Sequence, residues 1–211
     1  MRTTTTCLAA AGAGAAVAAW WYTDRAPYPY AQRRLLDLPL PGLTAARIDR
    51  ILAPRPGERM LEIGPGTGLQ TLRVAPRLGP RGRLDIVDIQ QEMLDHVARR
   101  TADLGTVVPT RADARDLPFP AATFDAVYLV TALGEIPAPA AALREAARVL
   151  APHGRLVIGE FFDRHWIPFG RLRDYAEACH LHVDERIGPT LAYLARLRPC
   201  THLPVAQPSG G

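Results

Sequence analysis

Leu61-Glu62-Ile63-Gly64-Pro65-Gly66-Thr67-Gly68 reads as a buried strand that runs straight into a glycine loop and then a helix. Glycines at 64, 66 and 68 let the backbone turn sharply and let a ligand approach the main chain closely. A strand, glycine loop and helix in that order bind a nucleotide-like ligand at the helix N-terminus. Two details narrow the ligand. In the dinucleotide fingerprint the third glycine would fall at position 69, where the chain has Leu69. Glu62 stands just before the loop, and a carboxylate there accepts hydrogen bonds from amines or hydroxyls but gives a pyrophosphate nothing. S-adenosylmethionine carries an amino acid and a sulfonium in place of phosphates, so an acid beside the loop suits it.

A chain of 211 residues suits one domain with a core large enough to be stable alone. Its formal charge of +4 comes from arginines scattered along a chain that has no lysine and is rich in alanine. No basic run or aromatic-basic platform appears, which argues against a nucleic-acid partner. Cys7, Cys179 and Cys200 are odd in number and lack metal-ligand spacing, so neither a disulfide framework nor a metal site is expected. A reducing, cytoplasmic compartment fits that usage.

Residues 3–23 carry no charge, are dominated by alanine and glycine, and are followed closely by arginines at 25, 33 and 34. As a helix this stretch would be about 31 Å long, near the hydrocarbon thickness, with Trp20, Trp21 and Tyr22 at an interface. A membrane anchor holding the domain on the cytoplasmic face, a leader packed on the domain, and a cleaved export signal are the three readings. Residues 24–43 hold Pro27, Pro29, Pro39 and Pro41 among aromatics and leucines, which predicts an extended covering segment.

Further on, Thr44 caps a short helix over 45–52, and strands are expected over 59–63, 83–87, 106–110, 124–130 and 155–159. Helices are expected over 69–78, 90–104, 138–150 and 170–180, with Pro152-His153-Gly154 as a turn. Two last strands, over 181–187 and 190–198, are joined by Gly188-Pro189. Strands alternating with helices predict an α/β, Rossmann-like, doubly wound fold whose seven-stranded sheet is mostly parallel with an antiparallel edge strand. The domain is therefore read as 44–198, preceded by leader and cover over 1–43 and followed by a disordered tail over 199–211.

Several segments in order resemble the class I S-adenosylmethionine-dependent methyltransferases, in particular the small-molecule branch of ubiquinone and menaquinone biosynthesis. Glu62 to Gly68 looks like that family's first motif, and Asp85-Ile86-Val87-Asp88-Ile89 its second. Ala112-Asp113-Ala114-Arg115-Asp116-Leu117-Pro118 and Phe124-Asp125-Ala126-Val127-Tyr128 look like its third and fourth. The resemblance implies S-adenosylmethionine as cofactor, held by Glu62, Gly64, Gly66, Gly68, Asp88, Asp113, Ala114 and Thr131.

Chemistry supports these roles. Asp88 follows Gly68 by 20 residues, where a carboxylate accepts both ribose hydroxyls, unless it merely caps the next helix. Asp113 suits the adenine amino group, with the Ala114 amide on a ring nitrogen, unless it is only a turn former. Ile89 and Met93 pack on the adenine or belong to the core.

Methyl transfer needs chiefly in-line alignment, and a base only where the acceptor must lose a proton. Glu135 and His165 are the candidate catalytic groups. Gly134-Glu135 stands where the family often has a pair including histidine, and a surface acid is the plainer reading of Glu135. His165 lies among Phe161, Phe162, Trp166 and Phe169, which with Tyr28 and Tyr30 line an apolar acceptor pocket or form a hydrophobic cover. The expected acceptor is small and apolar or amphiphilic: a quinone-like ring, a lipid or a secondary metabolite. A nicotinamide-dependent Rossmann oxidoreductase and a protein that keeps the cofactor pocket for a non-methylating role are the rival readings.

Overall fold

A computed structural model describes residues 26–200. The leader expected over 3–23 and nearly all of the tail expected over 199–211 lie outside those residues. Seven strands form one sheet: β1 (Arg59–Ile63), β2 (Arg83–Asp88), β3 (Val107–Arg111), β4 (Phe124–Val130), β5 (Leu150–Phe161), β6 (Leu181–Ile187) and β7 (Ala192–Pro199). Their order is β3-β2-β1-β4-β5-β7-β6, parallel from β3 through β5, with β7 antiparallel to both β5 and β6. The expected antiparallel edge is thus the β6–β7 hairpin, with β7 on the inner side.

Helices α1 (Ala45–Leu52), α2 (Thr71–Leu78), α3 (Gln91–Arg100), α4 (Pro139–Val149) and α5 (Phe169–Ala178) cover the two faces. Period-two alternation along the strands divides the core. Leu61, Ile63, Val127 and Leu129 pack with α4 and α5 residues such as Leu143 and Leu172. Met60, Leu84, Ile86 and Ala126 pack with Ile48, Val74 and Val97 of α1, α2 and α3 on the other face. Glu62 falls on that second, apolar face, in register with Tyr128 of β4.

Several elements differ from expectation; the helix expected over 90–104, for one, ends at Arg100. The covering segment is not extended throughout, because Tyr30–Asp37 forms a 3-10 helix. Its four prolines bracket this stretch without entering it, so i to i+3 turns can close between them. Helix α2 starts at Thr71, two residues late, because Gly68 at φ 84° holds the chain out of the helical region. Pro152-His153-Gly154 falls within β5, looped out where pairing jumps from Phe124–Leu150 to Ala126–Arg155.

Arg155 ties α1 to the start of β1. It is buried, and its guanidinium donates to the Leu52 and Ala53 carbonyls at 2.5 and 2.9 Å and to both Glu58 oxygens at 2.8 and 2.7 Å. Ala53 is the helix C-cap at φ 44°, so the arginine satisfies carbonyls that a helix end leaves open. Burial pushes the Glu58 carboxyl up, but its hydrogen bonds from Arg155 and the Arg55 amide outweigh that and hold it below its ordinary range. Arg155→Met strands a half-buried carboxylate and two carbonyls, and is expected to cost about 3 kcal/mol in a urea unfolding curve. An unchanged midpoint would remove Arg155 from this role.

Candidate active site

Strand order reverses between β1 and β4, since β1 leads to β2 on one side and β4 returns on the other. In doubly wound sheets the ligand crevice opens at the carboxyl ends of the strands at such a point. A cavity of about 910 Å³ lies there, lined by the glycine loop after β1, Asp88 at the end of β2, and the loops after β3, β4 and β5. Its roof is the covering segment, from Pro27 and Tyr28 through Leu35 to Leu40.

The glycine loop fits a close-lying ligand. Gly64 and Gly66 line the cavity at φ 70° and 54°, and a Cβ on Gly64 would lie 2.6 Å from the Ala132 Cβ. Gly68 has another task. It is absent from the wall, and a Cβ there would lie 3.0 Å from Val97 Cγ1, so it permits close packing of α3.

Glu62 lines the cavity while 4% exposed, and accepts a 2.5 Å hydrogen bond from the Thr71 hydroxyl. Burial pushes its carboxyl up to about 7, against the hydrogen bond from Thr71 and the influence of the nearby Tyr128 hydroxyl. Asp88 is pushed up to about 6, chiefly by burial, although the Gln90 and Ile89 amides favour its charge. One Asp88 oxygen accepts the Gln90 N–H at 2.9 Å, but Gln90 and not Asp88 is the N-cap of α3, so the reading of Asp88 as that helix's cap is not met while its cavity position is.

Asp113 is at the wall but already engaged: the Arg115 guanidinium grips both its oxygens, at 2.6 to 3.1 Å, and holds its carboxyl below the ordinary range. A hydrogen bond from an adenine amino group must therefore share a carboxylate with Arg115. Ala114, Ile89 and Met93 all line the cavity, Ile89 at its open rim and Met93 buried. Thr131 lines it too, at φ 57°, a conformation that costs a β-branched residue roughly 1–3 kcal/mol and that marks functional sites.

The two catalytic candidates part company. Glu135 is in the wall, not a surface acid, and its Oε2 accepts the Tyr28 N–H at 2.9 Å. Burial pushes its carboxyl up to about 7; the Tyr28 amide opposes this, and the charges of Asp163 and Asp88 add to it. His165 is buried outside the wall, and the expectation that it acts on substrate is not met. Its Nε2 accepts from Arg164 Nε at 2.9 Å, and its carbonyl crowds Gly134, where a Cβ would lie 1.8 Å away. The loop after β5 packs so tightly there that position 134 must be glycine. Phe161 and Tyr28 line the cavity; Phe162 and Trp166 pair with each other at 5.4 Å, and Tyr30 packs on His96, away from it.

Sequence reasoning missed the ties that hold the roof. The Thr67 hydroxyl donates to Asp37 at 2.5 Å, and Gln90 Nε2 donates to the Tyr28 carbonyl at 2.9 Å. Tyr28 thus bridges Gln90, beside Asp88, and Glu135 through its own peptide groups. Thr71 and Asp163 were missed as well, since no local pattern marks a residue whose partner is distant in sequence. Among the described residues no cluster could hold a metal ion, and no helix is long and apolar enough to cross a membrane.

An ionised Asp88 accepts hydrogen bonds from ribose hydroxyls best, and Asp88 and Glu62 gain protons near pH 6 and 7 respectively. Affinity for S-adenosylhomocysteine is therefore expected to fall as pH drops through 7 and again through 6. Asp88→Asn is expected to weaken it at pH 8 by about tenfold or more and to remove the lower step. Calorimetric titration from pH 5 to 8 checks this, and a flat wild-type profile would exclude both carboxylates as donor ligands.

A family model described as a methyltransferase domain matches residues 61–158. The ubiquinone/menaquinone biosynthesis C-methyltransferase UbiE of Bordetella parapertussis is 41% identical over 110 residues, 52% of this chain and 43% of that protein. The chain spans less than half the length of the first curated relatives it matches. Among solved structures, a SAM-dependent methyltransferase from Aquifex aeolicus aligns with a TM-score of 0.72 at 18% identity, covering 81% of this chain and 98% of that one. The [4+2]-cyclase SpnF aligns at 0.63 and 20% identity, covering 83% and 84%. Matched motifs, switch-point cavity and carboxylate positions agree in one direction: the chain is similar to methyltransferase domains over residues 61–158 and to the UbiE C-methyltransferases over 110 residues, and it shares the fold of a solved SAM-dependent methyltransferase.

Proposed function

We propose that the protein transfers a methyl group from S-adenosylmethionine to a small apolar or amphiphilic acceptor, of which a quinone-like ring that loses a proton is the best supported. The observation that carries this reading is a single cavity in which the donor residues, a largely apolar roof and a carboxyl raised to about 7 meet. The UbiE relatives point to the same acceptor class.

Bound S-adenosylmethionine supplies an electrophilic methyl on a sulfonium, with a neutral leaving group. The glycine loop and Glu62 receive its methionine end, Asp88 its ribose, and Ile89, Met93 and Ala114 its adenine. The covering segment excludes water over the loop, held there by Thr67–Asp37 and by the two bonds of Tyr28. Glu135 lies in the acceptor region after β4. In its ionised form it takes the proton that the acceptor loses as the methyl arrives, and a base with a pKa near the working pH does this best.

Full-length protein, labelled S-adenosylmethionine and prenylated hydroquinones test the reading by transfer of the labelled methyl into a lipid-extractable product. Failure to bind S-adenosylmethionine at millimolar concentration would sink it. Glu135→Gln can still accept the Tyr28 N–H, so the roof is kept while the base is lost. It is expected to lower kcat by about 100-fold or more with little change in the cofactor KM, and to abolish a kcat limb that rises through pH 7. A variant with wild-type kcat would remove Glu135 from proton transfer.

A further inference from the structure

Strand β4 places a phenol on the apolar face that α1, α2 and α3 cover. Tyr128 is fully buried there, in the cluster that includes Met60, Leu84, Ile86 and Val157, and its hydroxyl makes no hydrogen bond among the described residues. A buried hydroxyl left unpaired costs stability that a phenylalanine of the same shape would not. Tyr128 does not line the cavity, so any effect on a ligand must pass through a neighbour.

That neighbour is Glu62. Parallel pairing sets Glu62 opposite Tyr128, so the two side chains leave adjacent strands on the same face. Hydroxyl and carboxyl lie close enough for each to shift the other's hold on its proton. Burial pushes the phenol up and the Glu62 charge adds to this, while the phenol favours the ionised carboxylate. Thr71 holds Glu62 Oε2 at 2.5 Å from the start of α2. Glu62 therefore meets the cavity on one side and the phenol on the other.

An ammonium at this wall would draw Glu62 into its ionised form. An ionised carboxylate that is 4% exposed needs more donors than Thr71 supplies, and the Tyr128 hydroxyl is the donor at hand. Gln70 Oε1, next to Thr71 in the chain and on a wall residue, is also buried with no hydrogen-bond partner among the described residues. It is an acceptor of the kind an ammonium uses.

We propose that Tyr128 is a positioning residue, whose hydroxyl donates to Glu62 when Glu62 receives the ammonium of the donor's methionine end and so fixes the carboxylate toward the cavity. The inference rests on the reading of Glu62 as the group that receives that end. Tyr128 acts on the amino acid part of the ligand and leaves the adenosine to Asp88 and to the loops after β2 and β3.

Calorimetric titration at pH 8 with two ligands separates this role from a structural one. S-adenosylhomocysteine carries the amino acid; methylthioadenosine keeps the nucleoside and the sulfur without it. Tyr128→Phe is expected to weaken S-adenosylhomocysteine about tenfold, the size of one hydrogen bond to a charged group, and methylthioadenosine by less than about twofold. Its urea midpoint should equal or exceed that of the wild type. Glu62→Gln should weaken S-adenosylhomocysteine at least as much, and adding Tyr128→Phe to it should cost less than about threefold more, because the two groups act as a unit. Unchanged S-adenosylhomocysteine affinity in Tyr128→Phe overturns the proposal. So does an equal loss for both ligands, a full tenfold loss retained in the Glu62→Gln background, or a variant that unfolds, since the hydroxyl would then serve the fold. A large Glu62→Gln loss beside a silent Tyr128→Phe removes Tyr128 and leaves the donor reading standing; a wild-type protein that binds neither ligand defeats both.

Discussion

Strand β1 pairs in parallel with β2 on one side and with β4 on the other, and every feature of the site depends on that double pairing. Because the chain leaves β1 toward one edge and later returns beside it toward the other, no crossover helix can cover the carboxyl end of β1. A crevice must open there. The same pairing fixes which side chains reach it. Register puts Glu62 opposite Tyr128, turns both to the face covered by α1, α2 and α3, and leaves the glycine loop to emerge directly into the crevice.

Desolvation is the second organising effect. Glu62, Asp88 and Glu135 all border the cavity, and all have carboxyls raised by burial. In each, hydrogen bonds offset only part of the lost hydration. The three face different chemistry. Glu62 and Asp88 are placed for a ligand that brings amine or hydroxyl donors, which would favour their ionised forms. Glu135 lines the cavity beyond β4, and a raised carboxyl there is a better proton acceptor than an exposed one.

The covering segment completes the enclosure and is held by few bonds. Its 3-10 helix buries no residue fully, and among the described residues its attachment includes Thr67–Asp37, Gln90–Tyr28, Tyr28–Glu135 and an Arg100–Asp37 ion pair. Two of those bonds pass through the peptide groups of one residue, Tyr28, and so link the β2 side of the cavity to the β4 side. Gly134 carries the same coupling from below, because its lack of a side chain admits the His165 carbonyl and sets Glu135 against the roof.

The sequence by itself determined the strand order class, the glycine loop and the carboxylate at the end of β2. These depend on short-range regularities: apolar runs for strands buried on both faces, helical spacing of apolar residues, and glycines where φ must be positive. Strands Arg59–Ile63, Phe124–Val130 and Leu181–Ile187 were legible to the residue for that reason. Tertiary structure alone decided that Glu135 is buried against Tyr28, 107 residues away, that Asp113 is shared with Arg115, and that His165 packs behind the wall. It also decided which leucines and isoleucines line the cavity, although sequence patterning assigns them equally well to a core. Whether such a side chain fills space or lines it depends on how far the covering segment stands from the helices beneath it, and no local pattern encodes that separation.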